Sequence, residues 1–163
     1  MDRTTQITHA RLAIEEIMFT YAEGIDRGDM ETMAQLFAQG AIVLPDGGEI
    51  RGYQEVLDSY TGMVMFYDDD ENLVPYKRNQ CSPRTRHVTT NLVFSFDDDV
   101  SRADVKSYFT VYQTMAGKNE VIAGGRYVDV FERAQDDWHL ATRIIHFDNM
   151  GDMSRHNTAF EAS

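Results

Sequence analysis

The apolar residues of this chain change their spacing about halfway along, from a helical period to an alternating one. Between residues 12 and 25 they recur at intervals of three and four, which is typical of an amphipathic helix. From His87 onward, four segments alternate apolar and polar residues and are separated by short turns, which is typical of antiparallel strands. The sequence therefore predicts helices first and a sheet after them.

Glycine and aspartate residues mark where the helices of the first half end and begin. Gly28 terminates the first helix, Asp29 is suited to cap a second, short helix, and Gly40 ends that helix. After a short strand at residues 41–44 and a turn, the pattern over residues 53–66 predicts a third helix. Three helices thus precede the long strands.

The second half predicts four consecutive strands, at residues 87–96, 103–115, 121–133 and 138–149. Because short turns join them, they form an antiparallel meander, whose apolar face can be buried only under the three helices. The expected fold is α+β: a curved, mainly antiparallel sheet that wraps as a cone-shaped barrel around the N-terminal helices and encloses a cavity. We expect one domain over residues 1–163, with its core at about 8–153 and a C-terminal tail at 154–163.

The charge balance limits the partners that this chain can have. Its 15 Lys and Arg residues face 27 Asp and Glu residues, and the net charge of −12 would repel nucleic acids and anionic membrane surfaces. The single cysteine, Cys81, cannot form an internal disulfide, and no apolar run approaches the roughly 20 residues of a membrane span. We therefore expect a cytoplasmic protein that binds neither nucleic acid nor membrane.

Four polar side chains lie on predicted apolar faces, where burial is costly unless the group is paired or used. Tyr21 and Asp26 continue the buried stripe of the first helix, His87 opens the first long strand, and His146 shares strand parity with apolar residues of the last strand. An aspartate that orients a histidine is suited to general acid–base catalysis, and a phenol can bind a substrate oxygen. Taken singly, Asp26 is more simply interpreted as a helix-end carboxylate and Tyr21 as a core aromatic residue.

The position of His87 leaves two possibilities open. Strict alternation from Leu92, Phe94 and Phe96 places His87 on the opposite face of its strand. Either the face that carries His87 lines the cavity and the other face packs against a partner subunit, or a bulge near residues 89–90 changes the parity.

Other chemistries have little support in the sequence. The acidic residues 68–71 lack the glycine and the distal glutamate of a calcium loop, and His146 and Asp148 belong to no metal-ligand motif. Cys81 has no predicted base, and no nucleophile elbow occurs in the chain. We therefore expect neither a metal nor an organic cofactor.

Five local motifs occur in an order that resembles the nuclear-transport-factor-like (SnoaL-like) superfamily, over about residues 8–153. In chain order they are YAEGIDRGD at 21–29, GEIRG at 48–52, TRHVTTN at 85–91, GRYVDVF at 125–131 and the last strand from Trp138. Members of this superfamily include scytalone dehydratase, bile-acid 7α-dehydratase, hexachlorocyclohexane dehydrochlorinase, polyketide cyclases and the small subunits of ring-hydroxylating dioxygenases. The resemblance implies a cystatin-like cone fold.

The resemblance also implies roles for individual residues. Asp26 and His87 match the aspartate and histidine with which the dehydratases and the dehydrochlorinase remove a proton, without metal or organic cofactor. Tyr21 matches a substrate-binding tyrosine of bile-acid dehydratase. The arginine that this enzyme carries on its last strand corresponds approximately to His146.

Together these observations predict a cofactor-independent lyase or isomerase of the dehydratase type, acting on a small hydrophobic oxygenated molecule such as a steroid, a polyketide or an aromatic compound. The predicted catalytic residues are Asp26, His87, Tyr21 and His146. The predicted substrate-binding residues are Met18, Met63, Phe66, Tyr67, Tyr127 and Asp148. The alternatives are a non-catalytic small subunit of a ring-hydroxylating dioxygenase and a protein that binds a hydrophobic ligand.

The outer face of the predicted sheet indicates self-association. It carries Tyr108, Tyr112 and Val128, which is more apolar surface than a monomer usually exposes. Both dimers and trimers occur in the superfamily, so we expect a homo-oligomer of one kind or the other.

Overall fold

In a computed structural model that describes residues 2–44 and 46–160, three helices are followed by a curved sheet. The helices are α1 (Arg3–Arg27), α2 (Met30–Gln35) and α3 (Gly52–Met63), and a short 3-10 helix spans Thr158–Phe160. The strands are β1 (Ala41–Val43), β2 (Glu49–Arg51), β3 (Phe66–Tyr67), β4 (Leu73–Val74), β5 (Thr85–Phe96), β6 (Arg102–Met115), β7 (Lys118–Ala134) and β8 (Asp137–Met150). The expected α+β cone fold is confirmed.

A tight corner separates α1 from α2. Gly28 adopts a left-handed conformation with a φ of 71°, and a side chain there would collide with the backbone carbonyl oxygen of Cys81. The carboxylate of Asp29 then accepts a hydrogen bond of 3.1 Å from the backbone amide of Thr32, at the start of α2. Both predicted boundary residues are therefore confirmed, and the corner sets the C-terminal end of α1 against the segment that carries Cys81.

The main sheet contains six strands in the order β2-β1-β8-β7-β6-β5. The long strands β5 to β8 pair as the predicted antiparallel meander, whereas β1 pairs with β8 in parallel, with Ala41 opposite Thr142. The apolar stripe of α1, which includes Ile14, packs in one buried cluster with residues of the inner sheet face such as Val105 and Phe131. The sheet thus wraps around α1. None of the helices in the described part of the chain combines the length and apolarity that a membrane crossing needs.

A bulge in β5 decides which face His87 occupies. Asn91 has a φ of 56°, and the pairing of β5 with β6 shifts by one residue between Thr90 and Val93. The extra residue brings His87 and Leu92 to the same, inner face of the sheet. The second of the two possibilities for His87 is therefore confirmed, with the bulge at Asn91 instead of residues 89–90.

A bulge in β8 has the opposite consequence for His146. Val130 and Phe131 are neighbours on β7, but their partners on β8, Thr142 and Leu140, are two residues apart. Ala141 is therefore an extra residue in β8. Beyond it Arg143 points inward and is buried, while His146 lies exposed on the outer face. The prediction that His146 lies on the apolar face is wrong, because it assumed unbroken alternation.

The third helix is shorter than predicted. It ends at Met63, and Val64 adopts an extended conformation and bridges to Asn157 near the end of the chain. Phe66 therefore belongs to the two-stranded ribbon of β3 and β4, and not to a helix.

Candidate active site

A cavity of about 230 Å³ lies between the inner face of the sheet and the helices α1 and α3. Most of its walls are apolar, with residues from both helices and from all six strands of the main sheet. The polar side chains that line it are Tyr21, Tyr60, His87, Tyr127, His156 and Asn157. A mostly apolar hollow with a few polar groups is the usual form of a small-molecule site.

Asp26 and His87 are in direct contact at the wall of this cavity. Nδ1 of His87 lies 2.6 Å from Oδ1 of Asp26, and the backbone amide of His87 donates to Oδ2 at 2.7 Å. The hydroxyl of Thr85 donates to Oδ1 at 2.7 Å. The end of α1 and the start of β5, about 60 residues apart in the chain, thus hold one carboxylate with three donors.

These contacts decide the protonation of the pair. Burial alone would raise the pKa of Asp26, but the hydrogen bonds and charge of His87 and the hydroxyl of Thr85 outweigh burial and lower it. Since the carboxylate is ionised, Nδ1 of His87 carries a hydrogen and donates a hydrogen bond to Asp26. The remaining nitrogen, Nε2, then has a free lone pair with which a neutral imidazole can act as a base.

Three tyrosines form a second polar group in the cavity. The hydroxyls of Tyr21 and Tyr60 lie 2.7 Å apart, and the rings of Tyr21 and Tyr127 meet edge to face with their centroids 6.0 Å apart. Burial raises the pKa of all three phenols, so each keeps its proton and can act as a hydrogen-bond donor.

A buried ion pair lies behind these tyrosines. The guanidinium of Arg143 donates to both carboxylate oxygens of Asp129, at 2.9 and 2.6 Å, and both side chains are almost fully buried. Its central carbon lies 4.2 Å from the ring centroid of Tyr21 and 4.1 Å from that of Tyr127, which is cation–π geometry. Burial alone would lower the pKa of Arg143, but Asp129 outweighs burial and raises it. Arg143 is therefore a fixed positive charge against two of the phenols.

The structure brings some of the predicted site residues together. Tyr21, His87, Met63 and Tyr127 line the cavity, and Asp26 lies directly behind His87. The tyrosine and the aspartate are both buried side chains of α1, as the apolar pattern of that helix predicted.

Other predicted site residues lie elsewhere. Met18 is buried in the core, and Phe66 and Tyr67 lie in the ribbon of β3 and β4, with the Tyr67 hydroxyl donating to a backbone carbonyl. Asp148 forms an exposed ion pair with Arg126, and His146 is the pairing partner of Arg126 on the outer face. None of these five residues is among those that line the cavity.

Sequence reasoning gave no polar role to several residues around the cavity. Tyr60 lies within the predicted third helix, and Arg143 was hidden by the bulge at Ala141. Asp129 follows from the alternation of β7, where it faces inward between two outward valines. No signal in the sequence indicates His156, which lies in the predicted tail.

Within residues 2–44 and 46–160, no group of three or more His, Cys, Asp or Glu side chains is arranged to hold a metal ion. The cavity offers His87 as a candidate base and the phenols as candidate hydrogen-bond donors to an oxygen.

The family model described as "SnoaL-like domain" matches residues 6–144. No curated protein sequence matches the chain significantly. A Mycobacterium tuberculosis protein of unknown function is similar in structure, with 23% identity, a TM-score of 0.69 and coverage of 94% of this chain and 80% of the other.

Two structural neighbours have names that state a chemistry. A scytalone dehydratase-like protein from Novosphingobium aromaticivorans has 19% identity and a TM-score of 0.67, with 91% of each chain covered. Hexachlorocyclohexane dehydrochlorinase LinA-type3 from Novosphingobium barchaimii has 16% identity and a TM-score of 0.66, with 91% of this chain and 92% of the other covered. At these identities the likeness concerns the fold.

Proposed function

This chain belongs to the SnoaL-like domain family, and from that premise we propose that it is a cofactor-independent lyase of the dehydratase type. Its substrate is a small hydrophobic molecule that carries a carbonyl group and a hydroxyl group on the neighbouring β carbon. The observation that carries the proposal is the contact of 2.6 Å between an ionised Asp26 and His87 at the wall of a mostly apolar cavity. The fold alone would not suffice, because one fold hosts many functions.

The reaction begins with the transfer of one proton. Nε2 of His87 takes the proton from the carbon between the carbonyl and the hydroxyl-bearing carbon, and Asp26 stabilises the imidazolium that forms. The electron pair of the broken C–H bond moves to the carbonyl oxygen, which becomes an enolate. A protonated phenol, Tyr21 or Tyr60, donates a hydrogen bond to that oxygen, and the guanidinium of Arg143 behind Tyr21 favours the negative charge.

Elimination completes the reaction. The enolate reforms the carbonyl, a carbon–carbon double bond forms, and the C–O bond to the hydroxyl group breaks. The departing hydroxide takes the proton that His87 collected, so the products are an unsaturated ketone and water, and the enzyme returns to its starting state.

The cavity volume narrows the class of substrate. About 230 Å³ lies below the roughly 300–1,000 Å³ of pockets that hold drug-sized ligands. This size favours a molecule of one or two rings over a steroid. Two structural neighbours with elimination chemistry in their names, a dehydratase and a dehydrochlorinase, support the reaction class.

The test uses a panel of one- and two-ring β-hydroxy ketones, of which 3-hydroxy-1-tetralone is the central compound. Loss of water converts it to a dienone that tautomerises to 1-naphthol, so turnover is followed by naphthol fluorescence. We expect turnover by the wild type and a loss of about 10²–10⁴-fold in kcat for Asp26→Asn and for His87→Gln, since general acid–base groups contribute that much.

Asp69→Asn is the matched control for the aspartate variant, because Asp69 is exposed in the loop between β3 and β4. It should keep the wild-type rate. Wild-type rates in both Asp26→Asn and His87→Gln would refute the mechanism. Tight binding of 1-naphthol without turnover of any member of the panel would favour a ligand-binding protein, and neither binding nor turnover would favour the non-catalytic subunit.

A further inference from the structure

The cavity contains a second histidine that the proposed mechanism does not use. After β8 the chain turns back across the cavity, and the backbone amide of Gly151 donates to the carbonyl of Ile122 at 2.9 Å. The carbonyl of His156 accepts from the backbone amide of Met65 at 2.9 Å. Backbone hydrogen bonds to β7 and to the segment after α3 thus fix the segment that carries His156.

The side chain of His156 is placed for a ligand. It lines the same cavity as His87, and its Nδ1 is buried without a hydrogen-bond partner among residues 2–44 and 46–160. Buried polar atoms in native proteins nearly always have a partner, so an orphan at a cavity wall indicates a group that a bound molecule satisfies.

The protonation of His156 suits a hydrogen-bonding role. Burial, and then the nearby charge of His87, lower its pKa to about 4, while the carboxylate of Asp26 acts weakly in the opposite direction. Near neutral pH the imidazole is therefore uncharged, with one nitrogen as donor and the other as acceptor. Such a group can hold a hydroxyl group without placing a second positive charge beside the imidazolium of His87.

Building on the proposed function, we propose that His156 is a second catalytic residue, which holds the departing hydroxyl of the substrate by a hydrogen bond and presents it to His87. The C–O bond breaks as before, and the proton that leaves with the oxygen comes from His87. His156 neither gains nor loses a proton over the cycle. Its role is to align the oxygen between two imidazoles, one of which carries the proton.

The test compares two probes that differ only in a hydroxyl group at the position of the departing one, 1,3-dihydroxynaphthalene and 1-naphthol. Their affinities are measured by fluorescence for the wild type and for His156→Phe, His156→Leu and His156→Gln. We expect the wild type to bind 1,3-dihydroxynaphthalene at least about tenfold more tightly than 1-naphthol, a ratio that falls close to one in the Phe and Leu variants and is partly kept in the Gln variant. The control is His9→Phe, the same replacement at an exposed position of α1, which should keep the wild-type ratio.

Turnover of 3-hydroxy-1-tetralone provides the second measurement. We expect kcat to fall by about 10²-fold in His156→Phe, as for the loss of one donor to a developing charge, and to recover in part in His156→Gln. If the wild type turns over no β-hydroxy ketone, the proposed reaction fails, but the ratio of the two affinities still decides whether His156 holds a hydroxyl group.

Imidazole nitrogen NMR on the intact protein makes the test independent of how the variants fold. The ¹⁵N resonances of His156 should shift when 1,3-dihydroxynaphthalene binds and should not shift with 1-naphthol. An unchanged affinity ratio in folded His156→Phe or His156→Leu, or equal His156 shifts with both probes, would overturn the proposal.

Discussion

At the scale of single residues, Asp26 connects the stability of the protein with its chemistry. Its carboxylate is 8% exposed and accepts bonds from Thr85 and from two groups of His87. Those contacts lower the pKa of Asp26 against the effect of burial. The same interactions that prepare His87 as a base therefore also favour the folded state.

We expect this pair to make the protein sensitive to acid. Because the folded-state pKa of Asp26 is lowered, its stabilising contribution is complete above the unfolded-state value of about 3.9 and is lost as the pH falls through the folded-state value. Urea unfolding should therefore show a difference between wild type and Asp26→Asn that shrinks as the pH falls below about 4. A difference that grows below pH 4 would contradict this account. Asp69→Asn serves as the exposed control.

The pair of Arg143 and Asp129 makes a different prediction, because both groups are almost fully buried. Arg143→Met leaves the Asp129 carboxylate buried without its partner and should reduce the free energy of unfolding by about 3–5 kcal/mol. The double variant Arg143→Met, Asp129→Leu should recover much of that loss, since an apolar pair often replaces a buried ion pair at little cost. Urea denaturation measures both. A double variant no more stable than Arg143→Met would show that the charge is not the cause.

At the scale of structural elements, single-residue bulges orient the candidate site. In β5 the bulge at Asn91 allows both His87 and Leu92 to face inward, and in β8 the bulge at Ala141 turns Arg143 inward. Because side chains alternate along a strand, one extra residue moves every later side chain to the other face. These insertions thus decide which side chains of β5 and β8 lie on the inner face of the sheet.

Asn91 is the testable residue of the β5 bulge, because its φ of 56° is left-handed. Asn91→Val places a β-branched residue in that conformation and should cost about 1–3 kcal/mol in urea unfolding, whereas Asn91→Gly should be close to neutral. Thr90→Val, at the neighbouring regular position, is the control. Equal stability of the two Asn91 variants would mean that the bulge relaxes. Deletion of Asn91 should abolish turnover or folding, since His87 and the apolar residues of β5 could no longer share a face.

At the scale of the whole molecule, the outer face of the sheet is unusually apolar for a surface exposed to water. Val88, Val93 and Tyr108 are 43%, 63% and 53% exposed, and they lie on neighbouring strands with their side chains pointing away from the core. Exposed apolar groups on one face mark a contact with another chain more often than isolated ones do. We therefore propose that this face joins copies of the chain.

Light scattering after size-exclusion chromatography tests that proposal. The wild type should elute with two or three times the mass of one chain, and the double variant Val93→Lys, Tyr108→Lys should shift towards the monomer, because it would bury unpaired charges in the contact. Leu12→Lys, an exposed apolar position on α1, is the control and should keep the oligomer. A monomeric wild type would refute the predicted self-association.

Features that depend on neighbouring residues could be predicted from the amino-acid sequence. The stop at Gly28, the cap at Asp29 and the order of three helices and four long strands were read from local patterns, because capping, turns and apolar periodicity act over a few residues. The burial of Tyr21 and Asp26 in α1 followed from the same helical period. The family resemblance then indicated His87 as the partner of Asp26.

Only the tertiary structure decided which side chains surround the cavity. The helix expected to reach Phe66 ends at Met63 because Val64 pairs with a segment more than 90 residues away. His146 lies outside and Arg143 inside because one extra residue in β8 reverses the alternation, and no local pattern announces such an insertion. His156 enters the site because the end of the chain hydrogen-bonds to strands and loops distant in sequence. Local physics sets the elements, whereas the faces they present to one another depend on pairings between distant segments.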